Sequence, residues 1–273
     1  MKGKVRWLLS SALCAAMAVP AIAADAPDKI VLTGVIRDFK MSHPDFEAYP
    51  STSSKGLVKD TLDEDGKPLV KSFTTTGGSR AITSHESFSQ WFRDVPGVNK
   101  RIEYAITLTP VAGKPGVYGF KRERPNYFFP IDNEGWGPTG GANDKLGTKK
   151  YIYDSNNNSS KRNYHFTYEL RTKFTFTPRS ERSSDLVFEF TGDDDVWVFI
   201  NGKLAVDLGG VHEQLQGSIN LDQKKTSLGL KEGETYELVL FFAERCSTES
   251  NFRIETTLQL SEIKPTTVAP TYD

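Results

Sequence analysis

Cysteine is almost missing from this chain, with 2 among 273 residues. One of them, Cys14, lies in an N-terminal stretch that carries the marks of export. Lys2, Lys4 and Arg6 precede an apolar run from Trp7 to Val19 and the small-residue pattern Ala21-Ile22-Ala23. This is the layout of a bacterial-style secretory signal peptide over residues 1–23. Its removal leaves Cys246 as the only thiol, so no intrachain disulfide can form. Leu238 to Phe242 before it reads as a core strand, which predicts a buried Cys246 acting as a small hydrophobe; pairing with another molecule is the other reading.

Long hydrophobic runs are missing beyond the leader, whose own apolar core falls short of the about 20 residues that a membrane-spanning helix needs. No membrane insertion is expected after cleavage. Excess positive charge is missing too. The formal net charge is −1, and losing the leader's three basic side chains takes it to −4, which argues against nucleic acid or another polyanion as the main partner. There is no phosphate-cradling Walker loop and no Gly-x-Ser-x-Gly elbow. The four histidines, His43, His85, His165 and His212, share no metal-ligand spacing, so zinc is not indicated. Glu244 beside Arg245 reads as an ion pair or a hydrogen-bonded corner, and no partner acid for hydrolytic work can be placed. No catalytic residue is assigned, and an enzyme is the last-ranked reading.

What is present is β-prone sequence punctuated by turns. The expected organisation is a signal peptide over 1–23, a single all-β domain over 24–262 and a disordered tail over 263–273. Residues 29–38 predict a strand, followed at Ser42-His43-Pro44 by a short helical turn. Residues 50–78 predict a surface excursion with hairpin pieces. Thr83-Ser84-His85-Glu86 has the form of a capping box, and Phe88, Trp91 and Phe92 follow at i, i+3 and i+4, which predicts one helix with a core-facing aromatic stripe. Period-two strands are predicted over 104–108, 164–176, 186–190, 196–200, 236–242 and 252–260. Many strands with one short helix mean an antiparallel sandwich or barrel. Residues 131–163, with five glycines and many asparagines, predict a long polar loop of the kind that carries binding. Trp136 in that loop could stack on a sugar ring or pack against the loop itself.

Between the strands at 186–190 and 196–200 stand Asp193, Asp194 and Asp195. Three adjacent carboxylates repel unless water or a cation separates them, and their apolar flanks limit the water. Calcium would answer this with its demand for 6–8 oxygen ligands; a solvated acidic turn is the alternative. Asn201-Gly202 is a strong hairpin signal, returning Asp207 and His212 toward the acidic turn and making Asp207 a further candidate ligand.

The run from Phe190 to Leu204, with Asp207-Leu208-Gly209-Gly210-Val211-His212, resembles the signature of the fibro-slime domain. So do Arg37-Asp38-Phe39, His43-Pro44-Asp45-Phe46, Phe128-Phe129-Pro130-Ile131, His165-Phe166-Thr167 and Phe241-Phe242-Ala243-Glu244-Arg245 with Ser250-Asn251-Phe252-Arg253. Fibro-slime domains resemble the wider superfamily of the anthrax protective-antigen β-barrel domain, whose yeast adhesin members hold calcium on two adjacent aspartates and bind sugar hydroxyls through it. The resemblance implies a protective-antigen-like fold and a calcium pair at Asp193 and Asp194, with residues 131–163 as the candidate completing loop. Cys246 stands where many relatives carry His.

Together these readings give a secreted, calcium-dependent binding module for carbohydrate or a cell-surface polymer, located outside the cell or in the periplasm. The candidate metal set is Asp193, Asp194, Asp195 and Asp207. Trp136, Asn201, His212 and Asn251 are candidate ligand contacts. The competing reading is a self-associating slime or matrix component in which the acidic turn serves stability alone.

Overall fold

A computed structural model describes residues 27–47, 53–124, 126–132, 134–136, 162–246 and 249–266. The leader, most of the long polar loop and residues 267–273 lie outside the described residues. In chain order the elements are β1 (Ile30–Phe39), β2 (Val58–Leu62), β3 (Pro68–Val70), α1 (His85–Ser89), β4 (Asn99–Pro110), β5 (Tyr118–Arg122), β6 (Phe166–Thr175), β7 (Val187–Gly192), β8 (Asp195–Ile200), β9 (Lys203–Leu208), β10 (Leu215–Asn220), α2 (Leu221–Leu228), β11 (Thr235–Glu244), β12 (Phe252–Thr256) and β13 (Ser261–Glu262).

The strands form one continuous antiparallel path, β10-β7-β12-β5-β4-β1-β6-β11-β8-β9-β2-β3, with β13 added on β6. The path curls into a half-barrel whose first edge comes back against β9. A Cβ on Gly217 would lie 2.6 Å from Val206, so the missing side chain is what lets β10 approach that strand. The all-β architecture predicted from the turn-and-alternation pattern is the one observed.

Two apolar clusters sit on opposite sides of the strongest strands. Val196, Val198 and Ile200 of β8 and Leu238, Leu240 and Phe242 of β11 face the inner core. Trp197 and Phe199, with Val239, Phe241 and Ala243, face an outer core closed by Phe88, Trp91 and Phe92. Every residue of β8 is buried. Full burial of each large apolar side chain contributes about 1.5–3 kcal/mol, so this doubly covered pair is the rigid spine of the domain.

Several local expectations need correction. Residues 41–47 make successive turns and no helix. Helix α1 is capped by Ser84, whose hydroxyl accepts from the Ser87 amide while the Ser87 hydroxyl answers, so the capping box runs Ser84 to Ser87 and not Thr83 to Glu86. It ends at Ser89; Trp91 and Phe92 are buried from the turn that follows. Strands β5 and β10 and helix α2 were not foreseen. Helix α2 is polar and buries only Leu221 and Leu228, between an Asn220 cap and Gly229 in the left-handed region at φ 71°.

Candidate ligand-binding site

The site lies where the chain passes from one part of the sheet to another. Strand β7 pairs with β10 and β12, whereas β8 pairs with β11 and β9. Asp193 and Asp194 are the whole connection between them. So short a crossing forces Asp194 to φ 50°, a left-handed conformation that Asp tolerates better than most residues. Its backbone is gripped on both sides: the Asp193 amide donates to Asn251 O at 3.3 Å and the Asp194 amide to His212 O at 3.3 Å.

Side-chain alternation then separates the three aspartates. Asp195 shares the outer side of β8 with Trp197, and there Arg245 Nε donates to its Oδ2 at 2.6 Å while the Gly210 amide donates to its Oδ1 at 2.7 Å. Asp194 instead accepts from the amides of Arg245 at 2.6 Å and Cys246 at 3.0 Å through Oδ2, and from His212 N at 3.3 Å through Oδ1. Asp193 Oδ2 accepts from Asn251 through its amide at 2.9 Å and its Nδ2 at 2.7 Å. Asp193 Oδ1 is buried and accepts from no described residue.

Glu244, the last residue of β11, lies on the inner side and is wholly buried. Neither of its oxygens accepts a hydrogen bond of normal geometry, although Ser250 and the Cys246 amide stand nearby. Burial, then the charges of Asp194 and Asp193, push its carboxyl well above the usual range. Burial is also the main cause that lifts Asp193 and Asp194 to about 7. Arg245 opposes the lift at Asp194, yet its side chain points outward, donating to Ala81 O at 2.7 Å and covering the Trp91 ring. Among the described residues, no cationic side chain forms an ion pair with the inner carboxylates.

Above the pair opens a cleft of about 610 Å³, walled by Asp193 and Asp194 on one side and by Val211, His212, Glu213 and Gln214 on another, with Cys246 and Glu249 completing it. The His212 ring is turned to backbone, with Nδ1 2.8 Å from Glu213 O and Nε2 3.2 Å from Leu208 O. Asn251 serves the site by holding Asp193. Cys246, expected to be buried, is half-buried at the rim, and burial with the surrounding carboxylates raises its thiol.

The other candidates lie elsewhere. Asp207 accepts Trp197 Nε1 at 3.0 Å and the Gly56 amide at 2.7 Å. Asn201 sits in the β8–β9 turn, roughly 20 Å along the strand from Asp195, and donates to Leu228 O. Trp136 is 38% exposed, and the Lys40 and Lys100 ammonium groups stand 4.0 and 4.1 Å from its ring centroid, over the surface expected to meet a sugar. Glu244, Glu213 and Glu249 were not foreseen as site residues; Glu244 was read only as a partner of Arg245, and for Glu213 and Glu249 the sequence signal was their closeness to His212 and Asn251 in the chain.

The residues fit a cation in one respect: unpartnered carboxylate oxygens stand buried beside an acidic pair. Among the described residues, however, no three His, Cys, Asp or Glu side chains gather tightly enough to hold a metal by themselves. Any ion here would need backbone, water or ligand oxygens as well. Among the described residues, no helix is long and apolar enough to cross a membrane.

A curled antiparallel fold with a polar cleft at one end of its spine defines a β-rich binding module. The chain belongs to the PA14 domain family, whose model matches residues 113–272. It is 37% identical over 242 residues to protein psiQ of Dictyostelium discoideum and 38% identical over 240 residues to protein psiR of the same organism. These matches take in 87% and 86% of the chain but 22% of each relative, so the chain spans about a fifth of their length. Among solved structures it is similar to the PA14 sugar-binding domain from an RTX adhesin, at 10% identity and a TM-score of 0.31 over 84% of this chain and 91% of that one. It is also similar to the PA14 domain of an antifreeze protein, at 11% identity and a TM-score of 0.26 over 41% and 60%.

Proposed function

We propose that the chain is an exported, calcium-dependent carbohydrate-binding module of fibro-slime type, with Asp193 and Asp194 as the carboxylate ligands of the ion. The observation that carries this reading is the buried Asp193 Oδ1, which accepts no hydrogen bond among the described residues, on the wall of an open cleft, with the buried Glu244 carboxyl behind it. Carboxylates removed from water in this way are stable only if they are protonated or matched by positive charge. Calcium supplies that charge and accepts 6–8 oxygen ligands. Because the protein side chains fill few of those positions, backbone, water and sugar hydroxyl oxygens are left to complete the shell. Asn251 and the amides of Arg245, Cys246 and His212 fix the two aspartates in place, so the site is preorganised before any ligand arrives.

Calorimetric titration of the exported protein with calcium tests the reading. One ion bound by the wild type, lost in Asp193→Asn and Asp194→Asn, together with glycan binding abolished by chelator, is the expected result. Absence of calcium binding by the wild type, or glycan binding indifferent to chelator, would overturn it.

A further inference from the structure

The cleft is acidic in excess of what one divalent ion balances. Among the described residues its lining includes the carboxylates of Asp193, Asp194, Glu213 and Glu249 and no Lys or Arg. Glu213 is exposed. Among the described residues Glu249 accepts from neutral donors, the Tyr127 hydroxyl at 2.9 Å and Asn251 Nδ2 at 3.3 Å, and neither glutamate takes part in an ion pair. His212 offers the ligand no free ring nitrogen, since both face backbone carbonyl oxygens. A calcium ion on Asp193 and Asp194 matches those two carboxylates and leaves Glu213 and Glu249 uncompensated at the rim.

Clefts lined by charge of one sign concentrate ligands of the other and repel their own. We infer that this cleft is selective for charge: it binds neutral sugars and those carrying a free amino group and turns away sugars bearing carboxylate or sulfate, with Glu213 and Glu249 as the residues that set the preference. The inference rests on the calcium-dependent sugar site proposed above. It concerns which sugars enter, whereas the ion concerns whether any do.

An array of neutral, amine-bearing, carboxylated and sulfated glycans, probed with the exported protein in saturating calcium, decides it. The expected bound set contains neutral and amine-bearing glycans only, with the amine-bearing member of a matched pair at least threefold the tighter at low salt, the size of effect that exposed ion pairs give. That gap should close at about 0.5 M salt, where the screening length falls to a few ångströms. Glu213→Gln, a surface change with no fold to disturb, and Glu213→Gln/Glu249→Gln should admit the acidic members. Acidic glycans bound by the wild type as tightly as their neutral counterparts would overturn the charge preference and leave the calcium site standing. Calcium-independent binding, or no glycan bound at all, would overturn the calcium-dependent sugar site and this inference with it.

Discussion

Arg245 Nε and Asp195 Oδ2 meet at 2.6 Å with side-chain exposures of only 1% and 0%. This contact divides the acidic turn. It neutralises the third aspartate on the outer side of the spine, while the first two face the cleft with no comparable partner. Removing one member of a buried pair leaves the other charge stranded, at a cost of about 3–5 kcal/mol. Arg245→Met should therefore lower stability by about that amount in urea denaturation. Adding Asp195→Asn in the same chain should recover part of the loss; a double variant no more stable than Arg245→Met would show that the guanidinium acts mainly through Trp91 and Ala81.

Asp207 gives a second separation of structure from site. Its two oxygens satisfy Trp197 Nε1 and the Gly56 amide, so Asp207→Ala strands two donors at about 1–3 kcal/mol each. Thermal unfolding should show that loss while calcium affinity stays within twofold of the wild type. A tenfold fall in calcium affinity would return Asp207 to the ligand set.

Much of this was readable in the residues, and the failures have physical causes. Asn201-Gly202 announced its hairpin because both residues must adopt positive φ, observed at 51° and 69°, and few other pairs do so readily. The acidic turn was equally plain. Which aspartate points where was harder, because a run of identical residues carries no pattern of its own. The clue lay two residues on: Asp195 has the parity of Trp197 and Phe199, and once those face the outer core Asp195 must go with them. Helix α2 escaped notice because only Leu221 and Leu228 of its face are apolar. Glu244 was read as a partner of Arg245, because adjacency in the chain does not show that alternation sends the two side chains to opposite sides of the strand.

Asn251 is expected to act through Asp193. It donates twice to Asp193 Oδ2, and only the side-chain bond can be removed. Asn251→Ala should cost about 1–2 kcal/mol of stability and weaken calcium binding severalfold, both read in one calorimetric series. Full calcium affinity in this variant would show that the backbone alone holds Asp193 in place.

Asp38 provides the test that depends on pH. It is the penultimate residue of β1, wholly buried, accepts the Trp136 amide through Oδ2 and has no hydrogen-bond partner for Oδ1 among the described residues. Burial raises its carboxyl to about 7, with the Trp136 amide, Asn163 and Lys100 opposing. A carboxyl raised in the folded state carries no penalty while it is protonated in both states. The penalty appears above the unfolded value, near 4, and is complete above about 7. Wild-type stability should therefore fall across that window as pH rises. Asp38→Asn keeps an acceptor for Trp136 and removes the charge, so it should match the wild type near pH 4 and exceed it at pH 8. Urea midpoints at the two pH values check this, and a variant that loses stability with pH as steeply as the wild type would show that the slope arises elsewhere. Gly135→Ala should break the same contact sterically, because a Cβ there would lie 2.0 Å from Asp38 Oδ2; its cost should appear at both pH values.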